Sequence, residues 1–236
     1  MLQLCETFTS LQGESTFAGL PCFFIRLTGC NLRCGYCDTS YAFAQGTPVS
    51  IEEILKLTQE ALCPWQGRSY GSFPLPIIEL TGGEPMIHPE TPELLKRLCD
   101  TQHPVLLETN GSLPLDQVDP RVHRIIDVKL PSSGVLSHNN PQILQQLRPN
   151  DQIKFVLGSY EDYNWLKNFL HLHSRLFQGT TLLLSWYSMS PEMAFSLDHH
   201  PISRAKLAEL ILQDALPVRL QIQLHKILWP NEDRLR

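Results

Sequence analysis

No run of apolar residues in this sequence approaches the roughly 18 that a membrane-crossing helix needs. The opening MLQLCETFTS does not pair a basic segment with an apolar stretch, the pattern of a secretory leader. Both absences set the expectation of a cytoplasmic protein with no membrane partner. Basic charge is also in short supply: 19 Lys and Arg stand against 24 Asp and Glu, for a net charge of −5. A broad phosphate-binding surface needs clustered cations to release counterions, so direct nucleic-acid binding is disfavoured. Cysteine is sparse and odd in number, seven in 236 residues, which argues against a disulfide framework. There is no internal repeat, low-complexity tract or linker-like run. With 42% hydrophobic and 18% charged residues, the chain is expected to fold as one domain, 1–236, around a full core.

What the sequence does contain is strand and helix signals in alternation. Strands are predicted at Leu2–Thr7, Cys22–Thr28, Pro76–Leu80, Val105–Glu108, Arg124–Lys129, Gln152–Leu157, Thr181–Ser185 and Arg219–Leu224. Ser50-Ile-Glu-Glu53 is a capping box opening a helix to about Ala61, and Thr91-Pro92 reads as an N-cap followed by proline at the first helical position. Further helices are predicted at Glu161–Leu176 and Ile202–Asp214. Such alternation implies an α/β fold with a parallel sheet and helices outside it, curled into a whole or partial barrel; fewer than eight βα units fit. The polar segments Thr81-Gly-Gly-Glu84, Glu108-Thr-Asn-Gly111 and Asp127-Val-Lys129 all fall where a predicted strand ends, and TGCNLRCGYCDT (28–39) follows another. Ligands of parallel α/β sheets bind at those carboxyl ends, so the four segments are expected around one mouth.

Within that last segment Cys30, Cys34 and Cys37 have the spacing Cys-x3-Cys-x2-Cys. A structural zinc site wants four ligands and a redox pair two. Three thiolates suit a four-iron cluster with one iron left open to a ligand that is not protein. Cys5, Cys22, Cys63 and Cys99 read as small buried hydrophobes.

With Tyr36 in the aromatic place, the trio resembles the signature of the radical S-adenosylmethionine (SAM) superfamily, and Gly82-Gly83-Glu84-Pro85 resembles its second motif. Further segments recur in order in the 7-carboxy-7-deazaguanine synthase family. They are Leu11-Gln-Gly-Glu14, Arg26, Cys37-Asp-Thr39, Glu108-Thr-Asn-Gly111, Asp127-Val-Lys129 with Pro131-Ser132, Lys154-Phe155, and Leu224-His-Lys226 with Trp229-Pro230. The resemblance implies a reduced, TIM-like barrel, usually dimeric. It also implies a lyase that turns 6-carboxy-5,6,7,8-tetrahydropterin into 7-carboxy-7-deazaguanine with loss of ammonia, on the route to queuosine. SAM, a [4Fe-4S] cluster and Mg²⁺ would be the cofactors, and a protein such as flavodoxin the reducing partner.

Carried over by position, the resemblance assigns Cys30, Cys34 and Cys37 to the cluster and Thr39 to Mg²⁺. Tyr36, Cys37 and Asp38 would flank SAM, with Gly83 and Glu84 at its amino-acid end and Ser132 and Ser133 near its sugar. Leu11, Gln12, Gly13, Glu14, Arg26, Thr81 and His225 would meet the pterin. Segment 218–236 would close the substrate side. The glycine pair is read as letting a charged ligand approach the backbone. His171, His173, His199 and His200 read as loop or helix-surface residues.

The sequence departs from the family at three places. Residue 15 is Ser where Gly is common. Leu184-Ser-Trp-Tyr-Ser-Met-Ser190 lacks the expected Gln-Pro, leaving Ser185 as a guess. The ending NEDRLR replaces an Arg-Gly-Val-like terminus. Two other functions remain open at this point: another radical SAM enzyme, such as a glycyl-radical activase, and a non-catalytic zinc-binding module.

Overall fold

Every strand expected from the sequence forms in the computed structural model, which describes residues 1–44 and 46–230. In chain order the strands are β1 (Leu2–Leu11), β2 (Pro21–Leu27), β3 (Thr47–Val49), β4 (Ser69–Tyr70), β5 (Phe73–Pro74), β6 (Ile77–Gly82), β7 (Val105–Thr109), β8 (His123–Asp127), β9 (Gln152–Leu157), β10 (Thr181–Trp186) and β11 (Arg219–Gln221). The α-helices are α1 (Ile51–Leu62), α2 (Thr91–Cys99), α3 (Pro141–Leu144), α4 (Tyr160–Leu172), α5 (Pro191–Leu197), α6 (Arg204–Gln213) and α7 (Leu224–Leu228).

Among the described residues, nine strands form one sheet in the order β11-β10-β9-β8-β7-β6-β2-β1-β3, and β4 and β5 pair separately. From β2 to β11 every neighbouring pair is parallel; β1 joins β2, and β3 joins β1, antiparallel. β3 and β11 do not pair, so the barrel is partial. The short β3 went unread in the sequence because Thr47-Pro-Val49 carries a proline, which a sheet tolerates at an edge.

Side chains alternate across a strand with a period of two, and this alternation divides the core. One set, including Phe23, Ile25, Leu27, Ile78, Leu80, Val105, Leu107, Ile153 and Phe155, packs with Leu94 and Leu98 of α2 and Leu166 of α4. The opposite face contributes Cys22 and Phe24 of β2, Ile77 of β6, Leu106 of β7 and Ile125 of β8, joined by Phe8 and Phe17. Two residues further along the same face stand Arg26, Glu79, Glu108 and Asp127. The inner face is therefore apolar at the strands' amino ends and charged toward their carboxyl ends. On the outer face Arg124, fully buried, donates from Nε to Asp151 Oδ1 (2.8 Å), from Nη2 to the same carboxylate, and from Nη2 to the Gln146 carbonyl (2.9 Å).

The capping box of α1 forms as read: Glu53 N donates to Ser50 Oγ (3.2 Å) and Ser50 N to Glu53 Oε2 (2.7 Å). At α2 the boundary shifts by one residue. Thr91 is the first helical residue rather than the cap, because its hydroxyl donates to the Pro85 carbonyl (2.6 Å) instead of accepting a helix amide. Helix α4 ends at Leu172, short of Leu176, and β11 stops at Gln221, so His225 lies in the first turn of α7 and not after a strand. Cys22 and Cys99 are buried as expected, whereas Cys63 is exposed at the end of α1.

Candidate active site

The inner-face charges open onto a cavity of about 400 Å³ at the carboxyl ends of the parallel strands. The cysteine loop forms one wall. Backbone bonds hold it on both flanks: Gly29 N donates to the Ala42 carbonyl (2.8 Å), Glu84 N to the Gly29 carbonyl (2.8 Å) and Gly35 N to the Ser133 carbonyl (3.0 Å). Cys30, Cys34 and Cys37 all line the cavity. Burial pushes the Cys34 and Cys37 thiols up, and the Lys129 ammonium opposes it in both. Among the described residues no three His, Cys, Asp or Glu side chains gather at the spacing of one metal ion. Three thiols turned to one cavity fit a larger body, a four-iron cluster taking one thiolate on each of three irons.

The Gly-Gly-Glu segment serves this loop differently from the sequence reading. A Cβ at Gly83 would overlap the Gly29 carbonyl, and one at Gly82 (φ +151°) would overlap that of Leu27. The glycines thus let β6 lie against the cysteine loop. Glu84 is fully buried and does not reach the cavity. Its carboxylate accepts from Thr109 Oγ1 (2.8 Å), Asn110 N (2.6 Å) and Met86 N (2.9 Å), tying β6 to the end of β7. Ser132 and Ser133 are likewise buried behind the wall. Ser132 N and Oγ donate to Asp162 (2.8 and 2.7 Å), and Ser133 Oγ donates to the Leu130 carbonyl (2.6 Å). The side chains expected to touch a ligand at these three positions are bonded to protein because buried polar atoms need partners.

The remaining expected residues do converge. Leu11, Gln12, Gly13, Glu14, Arg26, Thr81, Gly83, Tyr36, Asp38, Thr39 and His225 line the same cavity as the thiols. Gln12 donates from Nε2 to Glu79 and accepts Glu14 N on Oε1 (2.8 Å). Glu14 accepts from Lys154 Nζ (3.2 Å) and Ser185 Oγ (2.9 Å). Ser185 itself stays out of the cavity, receiving Gln221 Nε2 (2.6 Å). Arg26 Nε pairs with Glu6 (2.8 Å) in a largely buried contact that Tyr41 Oη shares (3.0 Å). Thr81 Oγ1 donates to Glu108 (3.3 Å), which is also bonded to Lys154. Thr39 Oγ1 donates to Asp38 Oδ1 (3.0 Å), and Lys226 Nζ to Asp38 Oδ2 (2.9 Å). Burial would raise the Asp38 carboxyl, but Lys226 and Thr39 hold it down to about 2.

Helix α7 docks on the 11–14 loop. Leu224 N donates to the Gly13 carbonyl (3.0 Å), and a Cβ on Gly13 would overlap the His225 ring. Burial lowers the His225 imidazole, against the pull of Glu14 and Asp38. The terminal segment 231–236, with its atypical ending, lies outside the described residues.

Several cavity residues had no assigned role in the sequence reading: Glu79, Glu108, Asp127, Lys129, Lys154 and Tyr187. Most share the inner-face register of the expected site positions, Glu79 two residues before Thr81 for example. Burial and the neighbouring Glu108 push the Glu79 carboxyl well above the usual carboxylate range. Lys154 counters the effect of burial on Glu108 and lowers it.

A three-cysteine loop at the mouth of a partial parallel barrel defines the class, and residues 24–130 match the family model for the radical SAM superfamily. The chain is 41% identical over 237 residues to the 7-carboxy-7-deazaguanine synthase of Chlorobaculum tepidum, covering 99% of this chain and 96% of the relative. It is 35% identical over 235 residues to that of Koribacter versatilis, covering 99% of each. The chain belongs to the 7-carboxy-7-deazaguanine synthase family. The crystal structure of QueE from Escherichia coli shares its fold, with a TM-score of 0.67 at 22% identity over 95% of this chain and 94% of that one. Membership of the superfamily implies a [4Fe-4S] cluster and SAM.

Proposed function

We propose that this chain converts 6-carboxy-5,6,7,8-tetrahydropterin to 7-carboxy-7-deazaguanine with release of ammonia, as a carbon–nitrogen lyase on the route to queuosine. The observation that carries the reading is a single cavity shared by the three thiols and the Leu11–Glu14, Arg26, Thr81 and His225 groups, in a member of the synthase family. Cys30, Cys34 and Cys37 would hold the cluster. Tyr36 and Asp38 would flank SAM, with the Gly83 backbone at its amino-acid end, while Glu84, Ser132 and Ser133 brace these walls from behind. The cluster and SAM, when bound, supply hydrogen-atom abstraction from carbon.

The protein's own groups orient the substrate. Arg26, held by Glu6, offers a guanidinium suited to the substrate carboxylate. Glu14, kept beside Lys154, accepts from the N–H edge of the pterin. Thr81 and His225 border the same space. Thr39 presents one oxygen of the hard kind Mg²⁺ prefers, leaving the ion room for water and substrate oxygens. The chain would work as one radical SAM core domain in a cytoplasmic homodimer, reduced by a partner such as flavodoxin, with 218–236 closing the substrate side.

The test is anaerobic incubation of the reconstituted protein with the carboxytetrahydropterin, SAM, Mg²⁺ and a reductant, followed by mass spectrometry. Formation of 7-carboxy-7-deazaguanine with ammonia is the expected result. A cluster-loaded, SAM-binding protein that leaves the pterin unchanged would refute the proposal.

A further inference from the structure

We infer that Glu79 is a positioning residue for the substrate: it holds the side-chain amide of Gln12 so that Gln12 meets the pterin as a hydrogen-bond donor, beside the acceptor Glu14. This rests on the pterin reading above and deepens it by giving a role to a carboxyl that faces the same cavity. Gln12 and Glu79 both line that cavity, and both are buried, at 5% and 3% exposure. Gln12 Nε2 donates to Glu79 Oε2, and Gln12 Oε1 accepts from Glu14 N (2.8 Å). An amide carries two hydrogens on its nitrogen and accepts on its oxygen. Here the oxygen is turned to the loop backbone and one hydrogen is given to Glu79, so the second hydrogen remains to meet a ligand.

Glu79 sits where β6 passes from the apolar floor to the charged mouth. Its register neighbours are Phe24 on β2 and Leu106 on β7, both buried. Among the described residues no cation pairs with it: Lys154 is bonded to Glu14 and Glu108, and Arg26 to Glu6. A buried carboxyl without a bonded cation keeps its proton rather than stay charged, in line with the upward push from burial and Glu108. The three acids of the floor are thus of two kinds. Glu14 and Glu108 lie against an ammonium, and Glu79 is a neutral group whose carbonyl oxygen accepts from Gln12. A tetrahydropterin edge carries N–H donors beside oxo and ring-nitrogen acceptors, so it asks for an acceptor and a donor together. Glu14 supplies the first and the fixed Gln12 amide the second.

The 11–14 loop does not depend on Glu79 for its shape. Gln12 N donates to the Leu20 carbonyl (2.8 Å), Gly19 N to the Gln12 carbonyl (2.8 Å), Ser15 N to Gln221 Oε1 (2.8 Å) and Leu224 N to the Gly13 carbonyl (3.0 Å). Loss of Glu79 therefore leaves the backbone held and the amide free to swing about its one remaining bond, to Glu14. Fixing a polar group in its binding orientation before the ligand arrives lowers the cost of binding.

The experiment measures affinity for the carboxytetrahydropterin by equilibrium dialysis on anaerobically reconstituted full-length protein with SAM present and the cluster oxidised, so that no turnover occurs. SAM affinity and iron and sulfide content are measured alongside. Glu79→Leu should weaken pterin binding roughly three- to tenfold, the change expected for one lost hydrogen bond, with SAM affinity and cluster content as in wild type. Glu79→Met, a second apolar replacement, carries the same expectation. Glu79→Gln, whose amide oxygen can accept from Gln12, should recover most of the loss. Because Glu79 acts through Gln12, adding Glu79→Leu to Gln12→Ala should cost less than about twofold beyond Gln12→Ala alone. Unchanged pterin affinity in both apolar variants, or losses that multiply in the double variant, would overturn the inference and leave the enzyme assignment standing. A Glu79→Gln protein as weak as Glu79→Leu would overturn it too, since it would mark a role for charge. So would apolar variants that lose the cluster or SAM along with the pterin, which would mark a structural role. A cluster-loaded wild type that did not bind the pterin would remove both.

Discussion

Cys30, Cys34 and Cys37 differ from the chain's other thiols in what they face: a cavity rather than the core or solvent. Replacing any one of the three by Ala should abolish product formation and leave a protein with less iron and sulfide. Cys63→Ala and Cys99→Ala should retain both, as iron and sulfide assays on anaerobic preparations would show. At Thr39 the expected change is narrower. Thr39→Ala removes one oxygen beside Asp38 without touching a thiol, so Mg²⁺ titration of activity should shift to higher concentration, about tenfold or more for a lost ligand, with iron content unchanged. Superimposable titration curves would count against the magnesium role. Some side chains could not be placed from the sequence because their partners lie far along the chain. Glu84 meets Thr109 and Asn110, and Ser132 meets Asp162. Motif spacing pointed to segments of the cavity wall there but could not tell which side of the wall a side chain faces.

Elements, more than single residues, give the site its shape, and most were legible. Periodicity placed eight strands, overrunning β11 by three residues, and the capping box of α1. It missed β3, interrupted by Pro48, and the two-residue strands β4 and β5, and it ran α4 four residues too far. The inner-face charges were within reach of the same rule: once Thr81 is assigned to the cavity, Glu79 on the same strand face follows. Contact between β6 and the cysteine loop depends on Gly83. Gly83→Ala would drive a methyl into the Gly29 carbonyl, so the loop should shift and cluster content should fall even though no ligand is altered. A fully loaded Gly83→Ala protein would show that the close approach is dispensable. The docking of α7 is expected to depend on pH through His225. Its imidazole is lowered from the ordinary 6.5, so the folded state takes up its proton less readily than the unfolded chain. This contribution to stability is present above about pH 6.5 and declines as the pH falls below it. The difference in unfolding free energy between wild type and His225→Gln should narrow over that interval in denaturant titrations.

On the scale of the whole molecule, the sheet is tied together by a group remote from any ligand. Arg124 is fully buried and bonded to Asp151 and the Gln146 carbonyl, linking β8 to the segment that leads into β9. Removing one member leaves the other charge buried and unpaired, so Arg124→Ala or Asp151→Ala should cost about 3–5 kcal/mol in chemical denaturation. The double replacement should cost less than the sum.

The open edge between β3 and β11 adds a consequence in time. The thiols of the cysteine loop lie within the first forty residues, while the helix that seats His225 against Gly13 lies beyond residue 220. During synthesis, then, Cys30, Cys34 and Cys37 leave the ribosome well before α7, which supplies part of the wall that faces them. Until α7 emerges the loop lacks that part of its wall, and a chain halted before it would present the three thiols without the His225 side of the cavity.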